Sequence, residues 1–416
     1  MSLSTDQNRL SKNARIKASK LATKKRRASL TPFTYDIKIT SNKMSKQQKE
    51  TLDRMFVEAK WYYNDIISFI DGDRKLSAYD TKTKQVNVRL GRESNEYECR
   101  DLKSLSASAK QKIKERVSDS LSSLKALKDK GHKVGRLGYA KEVSSLPLKQ
   151  YVKDFLIISN THVKIAKLGA LRVRGLDQMS QEADIATAVL TKEADGHHIK
   201  ITAYVSLELD LSWANQDVVG VDLGIKDTIT TNTGEKFKVN IPVPSRVKGL
   251  QRKLSRQIKG SGNYIKTIQD IRREYQKIDR LKDEKAREIV NYLLEKHSFI
   301  VMQDENIAGW HKGLFGKQVQ ASILGRVKTL LAKNPRVAVV DRCAPTTQLC
   351  PQCGALNKHP LSERVYHCGC GYHNDRDVHA AQNMIHVYLT GHHNLIKKHP
   401  VERGITLVEC VSSARC

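Results

Sequence analysis

Acidic residues, aromatic residues and long apolar runs are all scarce in this sequence. Its 416 residues include 44 Asp and Glu against 73 Lys and Arg, a formal net charge of +29, and 6% are aromatic. No apolar run approaches the roughly 18 residues that span a bilayer, and no hydrophobic signal segment opens the chain, so we expect a cytoplasmic protein without a membrane anchor. So basic a chain would repel itself, and we expect nucleic acid, ahead of an anionic membrane, to supply the counter-charge.

Cysteine is also sparse, and its spacing argues against disulfides. Four of the eight cysteines are scattered without a disulfide-like pattern: Cys99, Cys343, Cys410 and Cys416. The other four have the spacing Cys-x₂-Cys, fourteen residues, then Cys-x-Cys: Cys350, Cys353, Cys368 and Cys370. Four thiolates at this spacing predict a tetrahedral, structural zinc site.

Glycines and histidines lie next to the four clustered cysteines. Gly354, Gly369 and Gly371 permit the tight turns that a metal-binding ribbon requires. His367 and His373 lie close enough in sequence to replace a cysteine in the shortened second pair, which leaves them as alternative ligands.

A length of 416 residues predicts two or three domains. Residues 1–30 carry nine Lys or Arg and one Asp, so we expect a disordered basic tail. Residues 45–141 show apolar positions at helical spacing followed by a glycine-punctuated basic loop, which predicts a helical insertion. Residues 31–44 and 142–213 hold short alternating segments and predict a small β-barrel or sandwich that the insertion interrupts.

A second, α/β domain is predicted over residues 214–344 and 376–416. Residues 246–298 carry fifteen Lys or Arg and a glycine break, which predicts a basic helical hairpin. The cysteine ribbon, 345–375, is inserted before an Ala-rich helix. Apolar segments predict buried strands at 218–222, 299–302 and 337–341, and a turn signal predicts a hairpin at 228–239.

Three acidic residues of this domain lie at predicted strand ends or helix starts: Asp222, Glu305 and Asp377. Carboxylates from separate elements can hold two Mg²⁺ ions that cleave a phosphodiester. Alternation along a strand would place Glu305 on the face of Gln303 and turn Asp304 away, which favours Glu305. Asp375 remains an alternative to Asp377, since either can cap the following helix.

Two groups of residues are candidates for contact with nucleic acid. The first half of the basic hairpin offers phosphate contacts from Arg252, Lys253, Arg256 and Lys259. Trp61 and Tyr62 can stack on bases, although aromatic residues at helical spacing are more often part of a core.

Four segments carry a family resemblance: 220–226 (GVDLGIK), 303–306 (QDEN), 346–354 (TTQLCPQCG) and 375–383 (DRDVHAAQN). In order and spacing they resemble the RuvC-like nuclease domain of the TnpB proteins, transposon-encoded RNA-guided DNA endonucleases related to compact Cas12 effectors. Weaker similarity extends through 135–141, 164–169 and the helix that contains residues 61–64.

The resemblance implies an α+β multidomain fold: a wedge β-barrel with a helical recognition insertion, then an RNase H-like (RuvC) domain carrying a zinc ribbon that binds the target nucleic acid. It implies that Asp222 and Asp377, rather than Asp375, are the first and third catalytic acids. It also implies Mg²⁺, Zn²⁺, a guide RNA and double-stranded target DNA. We expect a monomer that associates with the nucleoid when bound to DNA.

The sequence departs from the family pattern at three places. Gln303 stands where the family has its middle Glu, so catalysis would depend on Glu305. The second cysteine pair is Cys-x-Cys instead of Cys-x-x-Cys, and His379 replaces the usual Asn after the last acid.

The sequence therefore predicts an RNA-guided DNA endonuclease of the TnpB type, which cuts beside a short flanking motif by Mg²⁺-dependent hydrolysis. The alternatives are a miniature Cas12-type CRISPR effector, a catalytically weak or silent RNA-guided DNA-binding protein, and a structure-specific nuclease that needs no guide.

Overall fold

The chain divides into two units, Met1–Glu208 and Leu209–Cys416, in the computed structural model. The structure describes residues 2–90, 96–206, 218–360, 362–390 and 396–398. Each unit combines helices and strands, which confirms the predicted mixed α and β content. In the described parts of the chain, no helix combines the length and the apolar character needed to cross a membrane.

The first unit is built on one antiparallel sheet with helices inserted between its strands. The elements of this unit are α1 (Ser2–Ala28), β1 (Thr31–Ile39), α2 (Lys46–Asp71), β2 (Gln85–Arg89), β3 (Tyr97–Asp101), α3 (Ala107–Asp129), β4 (Ser145–Leu148), β5 (Phe155–Ser159), β6 (His162–Ile165), β7 (Gly169–Arg174), β8 (Asp184–Glu193) and β9 (Gly196–Val205). The strand order in the sheet is β4-β8-β9-β1-β7-β6-β5.

Strands predicted on both sides of the insertion pair with one another in this sheet. β1 is antiparallel to β9 along most of its length and to β7 at its end. Alternation along β1 buries Ile37 and Ile39 in the core of the unit. No pairing joins β4 to β5 in the described residues, so the closed barrel remains a prediction.

The insertion between β1 and β4 is helical as predicted, with one addition. Helix α2 begins with a capping box between Ser45 and Gln48, and α3 begins at the N-cap Ser106. Between the helices, β2 and β3 form a hairpin that the sequence analysis missed. Only Val86 and Val88 give β2 an apolar face, too few to reveal a strand in so polar a segment.

The N-terminal segment differs from the disordered tail predicted for residues 1–30. It forms helix α1, because residues 2–28 contain neither Pro nor Gly and are rich in Ala, Lys, Arg and Leu. Arg26 and Arg27 at its end both pair with Asp184 of β8, at 2.8 and 2.9 Å, and so tie the helix to the sheet.

The second unit contains a mixed six-stranded sheet. The elements of this unit are β10 (Val218–Asp222), β11 (Ile229–Thr231), β12 (Lys236–Phe237), α4 (Ser245–Ser255), α5 (Gly262–Lys296), β13 (Phe299–Gln303), α6 (Ile307–Lys312), α7 (Gly316–Ala321), α8 (Leu324–Lys333), β14 (Val337–Val340), β15 (Val365–His367), β16 (His373–Asp375), α9 (Arg376–Leu389) and β17 (Ile396–Lys398). The strand order in the sheet is β12-β11-β10-β13-β14-β17.

Apolar residues cover both faces of this sheet. On one face, Ile300 and Met302 of β13 pack with residues of α5 and α8. On the other face, Val301 packs with Met384 and Val387 of α9. Burial on both faces explains why β10, β13 and β14 read as continuous apolar runs.

Most elements predicted for this unit are confirmed. The three buried strands, the turn hairpin and the pair of basic helices are all found, and α4 contacts α5 as in a helical hairpin. Helices α7 and α8 follow one another with a break at Ser322 and Ile323.

Candidate active site and zinc centre

Two of the three predicted acids follow neighbouring parallel strands. Asp222 is the last residue of β10, and β13, which ends at Gln303, lies parallel beside it. The carboxyl ends of both strands therefore share one edge of the sheet, and Glu305 lies just beyond this edge. Because Glu305 is outside the strand, strand alternation does not orient it. That part of the sequence argument was wrong.

Asp377 reaches the same region through the first turn of α9. This helix crosses β10 so closely that a Cβ atom on Gly220 would lie 1.9 Å from the carbonyl oxygen of Ala381. Only glycine permits this approach, which sets the start of α9 beside the end of β10.

Glu305 and Asp377 both act electrostatically on Asp222. Burial raises the pKa of Asp222 to about 8, with further increases from Asp377 and Glu305, while Arg376 acts in the opposite direction. Burial and the two neighbouring acids together favour the protonated form of Asp222. Divalent cations fit such a donor set.

The acids do not form a compact cage for a single ion. Among the described residues, two sets of three or more potential ligands have all their atoms within 4.8 Å of one another: the four clustered cysteines and the trio Asp36, Glu193 and His198. Asp222, Glu305 and Asp377 belong to neither set.

Asp304 and Glu305 differ in the ion pairs and hydrogen bonds that they form. Asp304 forms ion pairs with Lys328 at 2.5 Å and with Arg342 at 3.1 Å. Lys328 also donates to the backbone carbonyl of Glu305 at 2.6 Å, which fixes the loop after β13. Burial raises the pKa of the Glu305 carboxyl, against the opposing charge of Lys328.

An open cavity of about 540 Å³ adjoins Glu305. Arg326, Lys328 and Arg342 contribute to its wall. All three cations are already paired with acids: Arg326 with Asp279 and Asp283, and Lys328 and Arg342 with Asp304.

Asp375 and Asp377 also differ in the groups that contact their carboxylates. Asp375 is the N-cap of α9, where its Oδ1 atom accepts from the amides of Asp377 and Val378 at 3.0 and 3.3 Å. Burial works to raise the pKa of Asp375, but Lys236, 2.7 Å away, and the two amides lower it overall. Asp375 is thus engaged in capping, which leaves Asp377 available for a metal ion.

The four cysteines converge as a tetrahedral site requires. The Cys350 and Cys370 sulfur atoms are 3.7 Å apart, and those of Cys353 and Cys368 are 3.5 Å apart. A zinc ion with bonds of about 2.3 Å would hold four sulfurs about 3.8 Å from one another. The donor set and its spacing therefore fit Zn²⁺.

Turns at both cysteine pairs create this geometry. Gly354 and Gly371 have φ of 75° and 94°, as predicted, whereas Gly369 lies outside the left-handed region. The amides of Gly354 and Gly371 donate to the carbonyls of Cys350 and Cys368 at 2.9 and 3.0 Å. The alternative ligands, His367 and His373, lie outside the sulfur cluster on β15 and β16.

The candidate nucleic-acid residues differ sharply in exposure. Arg252, Lys253, Arg256 and Lys259 are all exposed, on α4 and the turn that follows it. Trp61 is half-buried and lies under the guanidinium of Arg100, 4.8 Å from its ring centre. Tyr62 is fully buried against Tyr79, so the predicted stacking of bases on Tyr62 is wrong and its role is in the core.

Sequence reasoning missed Gly220 and Lys328, which shape the site without belonging to the acid set. A glycine inside the apolar strand 218–222 was a readable signal of close backbone approach. Lys328 carried no such signal, because its contacts come from residues more than twenty positions away.

Two family models match this chain. One described as "Probable transposase" matches residues 205–312, and one described as "Cas12f1-like, TNB domain" matches residues 329–384. Together they cover the acids Asp222 and Glu305, the cysteine cluster and Asp377.

Curated relatives and solved structures give further similarities. "Putative RNA-guided DNA endonuclease" of Streptomyces pristinaespiralis is 24% identical over 258 residues, which cover 59% of this chain and 64% of that protein. "Putative RNA-guided DNA endonuclease InsQ" of Escherichia coli K12 is 24% identical over 255 residues, which cover 54% and 62%. A chain from "Cryo-EM structure of the Cas12f1-sgRNA-target DNA complex" aligns with a TM-score of 0.48 and 14% identity, over 81% of this chain and 82% of that one.

The matched part of the chain spans slightly less than two thirds of each curated relative. The family matches nevertheless fall on the segments whose motifs carried the resemblance, in the same order. The similarity of this chain to TnpB-type proteins, and of its ribbon region to the Cas12f1-like TNB domain, is therefore confirmed.

Proposed function

We propose that this protein is an RNA-guided DNA endonuclease of the TnpB type, which hydrolyses DNA beside a short flanking motif with Mg²⁺. The observation that carries the proposal is that Glu305 and Asp377, from two other elements, both act electrostatically on Asp222 at the end of β10. The raised pKa of Asp222 supports it, because the charges of Asp377 and Glu305 add to the effect of burial.

Each acid has a distinct part in the proposed site. Bound Mg²⁺ would supply the positive charge that activates the attacking water and stabilises the leaving oxygen. Asp222, whose pKa the charges of Glu305 and Asp377 both raise, would release its proton on binding Mg²⁺. Glu305 and Asp377 would approach from the loop after β13 and the first turn of α9, and Lys328 would keep the Glu305 loop in place.

In this proposal, other parts of the chain would bind the guide RNA and the target DNA. A guide RNA would read the target by base pairing, while the protein contacts backbone and flanking motif. The exposed cations of α4 and the following turn would contact phosphates, and the zinc ribbon would lie against target nucleic acid. We further propose a wedge domain over 31–44 and 142–213, a RuvC-like domain over 214–344 and 376–416, and a monomer in the prokaryotic cytoplasm.

Co-purified RNA provides the test. The protein is purified with its RNA, the RNA is sequenced, and a DNA duplex that matches the guide is incubated with the complex and Mg²⁺. We expect cleavage of that duplex by the wild type and none by Asp222→Ala, with equal RNA in both preparations. Cleavage of unmatched branched DNA without RNA would overturn the guided mechanism, and retained cutting by Asp222→Ala would overturn the site.

A catalytically silent RNA-guided binder is the second candidate, and Gln303 is the observation in its favour. An amide stands where the family has its middle acid, and that amide is buried and points away from solvent. A binder would retard the matched duplex in a gel without nicking it. The origin of the sequenced RNA, a transposon end or a CRISPR array, separates a TnpB-type enzyme from a Cas12-type effector.

A further inference from the structure

Gln303, the residue that replaces the family's middle Glu, has no free hydrogen-bonding group. Its side chain is 5% exposed at the end of β13. The Nε2 atom donates to the carbonyls of Asp341 and Ala344, both at 3.0 Å, and lies 3.2 Å from the carbonyl of Arg342. A carboxylate could not make these bonds, because it has no hydrogen to donate.

The oxygen of the same amide is also engaged. Thr346, which is 2% exposed, donates from Oγ1 to Oε1 of Gln303 at 2.8 Å. Gln303 therefore ties the end of β13 to the segment 341–346, through both halves of one amide. This segment connects β14 to the cysteine ribbon.

Asn383 of α9 continues the network from the other side. Its Nδ2 atom donates to the carbonyls of Thr346 and Leu349 at 2.6 and 2.7 Å, and lies 3.0 Å from Nε2 of His379. Asn383 and His379 are both fully buried.

The ribbon contacts the network at two points. The ring of His379 stacks on Tyr366 of β15, with ring centres 3.8 Å apart and planes 15° from parallel. Leu349, whose carbonyl Asn383 holds, directly precedes the metal-binding Cys350. The ribbon, the loop after β14 and helix α9 thus share one buried set of polar contacts.

The two ends of this set lie next to the proposed catalytic acids. Glu305 comes two residues after Gln303, and Asp377 lies on the same helix as His379 and Asn383. Resting on the function proposed above, we propose that Gln303, Thr346 and Asn383 are positioning residues. They fix the separation of Glu305 and Asp377, and so set the affinity of the acid site for divalent ions.

This proposal gives position 303 a role opposite to the one that family resemblance suggests. If Gln303 were merely a lost catalytic acid, Gln303→Glu would restore a ligand and improve the site. If its amide is a positioning group, Gln303→Glu places a negative charge against three carbonyl oxygens, breaks the tie to the segment 341–346 and weakens the site.

Manganese binding provides a test that does not depend on cleavage. The affinity of the zinc-loaded, RNA-bound protein for Mn²⁺ is measured by electron paramagnetic resonance in the wild type, Gln303→Glu and Thr346→Val. We expect a loss of about 10–100-fold in both variants, the usual effect of removing an outer partner of a metal ligand. We expect Thr346→Ser, which keeps the hydroxyl, to retain wild-type affinity.

Gln318→Glu is the matched control, because it makes the same change at an exposed residue of α7. Zinc content and melting temperature report whether each variant folds. If Gln303→Glu does not fold, the comparison of Thr346→Val with Thr346→Ser tests the positioning role. Equal or tighter Mn²⁺ binding by Gln303→Glu, or equal binding by the two Thr346 variants, would overturn the positioning role. A wild type that binds Mn²⁺ but fails to cut matched DNA would count against the proposed function instead.

Discussion

At the residue scale, neighbouring acids in the sequence are distinguished by the partners that already hold them. Asp304 is paired with Lys328 and Arg342, and Asp375 caps α9 and pairs with Lys236. Their neighbours in the sequence, Glu305 and Asp377, are the acids whose charge raises the pKa of Asp222. A carboxylate that already pairs with a cation or caps a helix is less available to bind a metal ion.

Glu305→Gln is expected to reduce guided cleavage more than about 100-fold, since loss of an outer partner alone costs about 10–100-fold. The amide keeps the shape of the side chain but removes the charge that a hard cation requires. Single-turnover cleavage at saturating Mg²⁺ measures the effect.

Asp304→Asn is the matched comparison one position earlier. It weakens two ion pairs, and we expect a loss of about 1–2 kcal/mol in the free energy of unfolding with most of the cleavage rate retained. If Asp304→Asn abolished cutting while Glu305→Gln did not, the middle acid would be Asp304.

Asp222 makes the stability of the metal-free protein depend on pH. Its pKa rises from 3.8 to about 8 on folding, so the folded protein keeps a proton that the unfolded chain has released. Stability must therefore fall as pH rises between about 4 and 8. Asp222→Asn removes this effect, and its melting temperature should exceed that of the wild type at pH 8 but not at pH 4.

Added Mg²⁺ should reverse the order of the melting temperatures of the wild type and Asp222→Asn. At pH 8 it should stabilise the wild type, whose acids it neutralises, and leave Asp222→Asn almost unchanged. Thermal melts of zinc-loaded protein in magnesium-free and magnesium-containing buffer provide the measurement. A stability difference that does not vary with pH would show that Asp222 is not held protonated.

At the element scale, the contact of β10 with α9 determines where Asp377 lies. Gly220→Ala is expected to push α9 away, since its Cβ would overlap the carbonyl of Ala381. We expect a loss of about 1–3 kcal/mol in the free energy of unfolding, together with a large loss of cleavage. Denaturant unfolding and cleavage assays are measured on the same preparation.

Gly249→Ala is the control within the same unit. No atom lies within 4 Å of a Cβ at this exposed position of α4, so the change should stabilise the helix by about 0.5–1 kcal/mol and leave cleavage intact. A Gly220→Ala variant that behaved like Gly249→Ala would contradict the close packing of α9 on β10.

We expect the ribbon to depend on metal for its folding, because its hairpin of two three-residue strands has few buried apolar side chains. We expect about one zinc per chain in the wild type and its loss in Cys370→Ser, measured by elemental analysis. Cys343→Ser, at an exposed cysteine outside the cluster, should keep the zinc. Equal zinc in both variants would exclude Cys370 as a ligand.

Elements with a strong local pattern could be predicted from the sequence. The apolar strands β10, β13 and β14, the basic helices α4 and α5, and the cysteine knuckles all follow from periodicity or spacing. The hairpin β2–β3 and the helix α1 were not predicted, since β2 gains its burial from contact with α2, and Arg26 and Arg27 anchor α1 through Asp184, more than 150 residues away.

At the scale of the whole molecule, the types of candidate site residue can be read from the sequence more easily than their arrangement in space. The types of residue at positions 222, 305 and 377 and the surplus of cations were readable from the chain alone. Their convergence depends on the parallel pairing of β10 with β13 and on the crossing of α9, contacts between residues far apart in sequence. The buried amide network of Gln303, Thr346 and Asn383 could not be predicted for the same reason.

The most direct test of the central claim is the location of bound ions in a crystal of the protein with its RNA and Mn²⁺, by anomalous scattering. We predict manganese peaks about 2.0–2.3 Å from carboxylate oxygens of Asp222, Glu305 and Asp377, with at least one ion shared between two of these residues. Peaks held by Asp304 or Asp375 instead, or no peak at this edge of the sheet, would contradict the account.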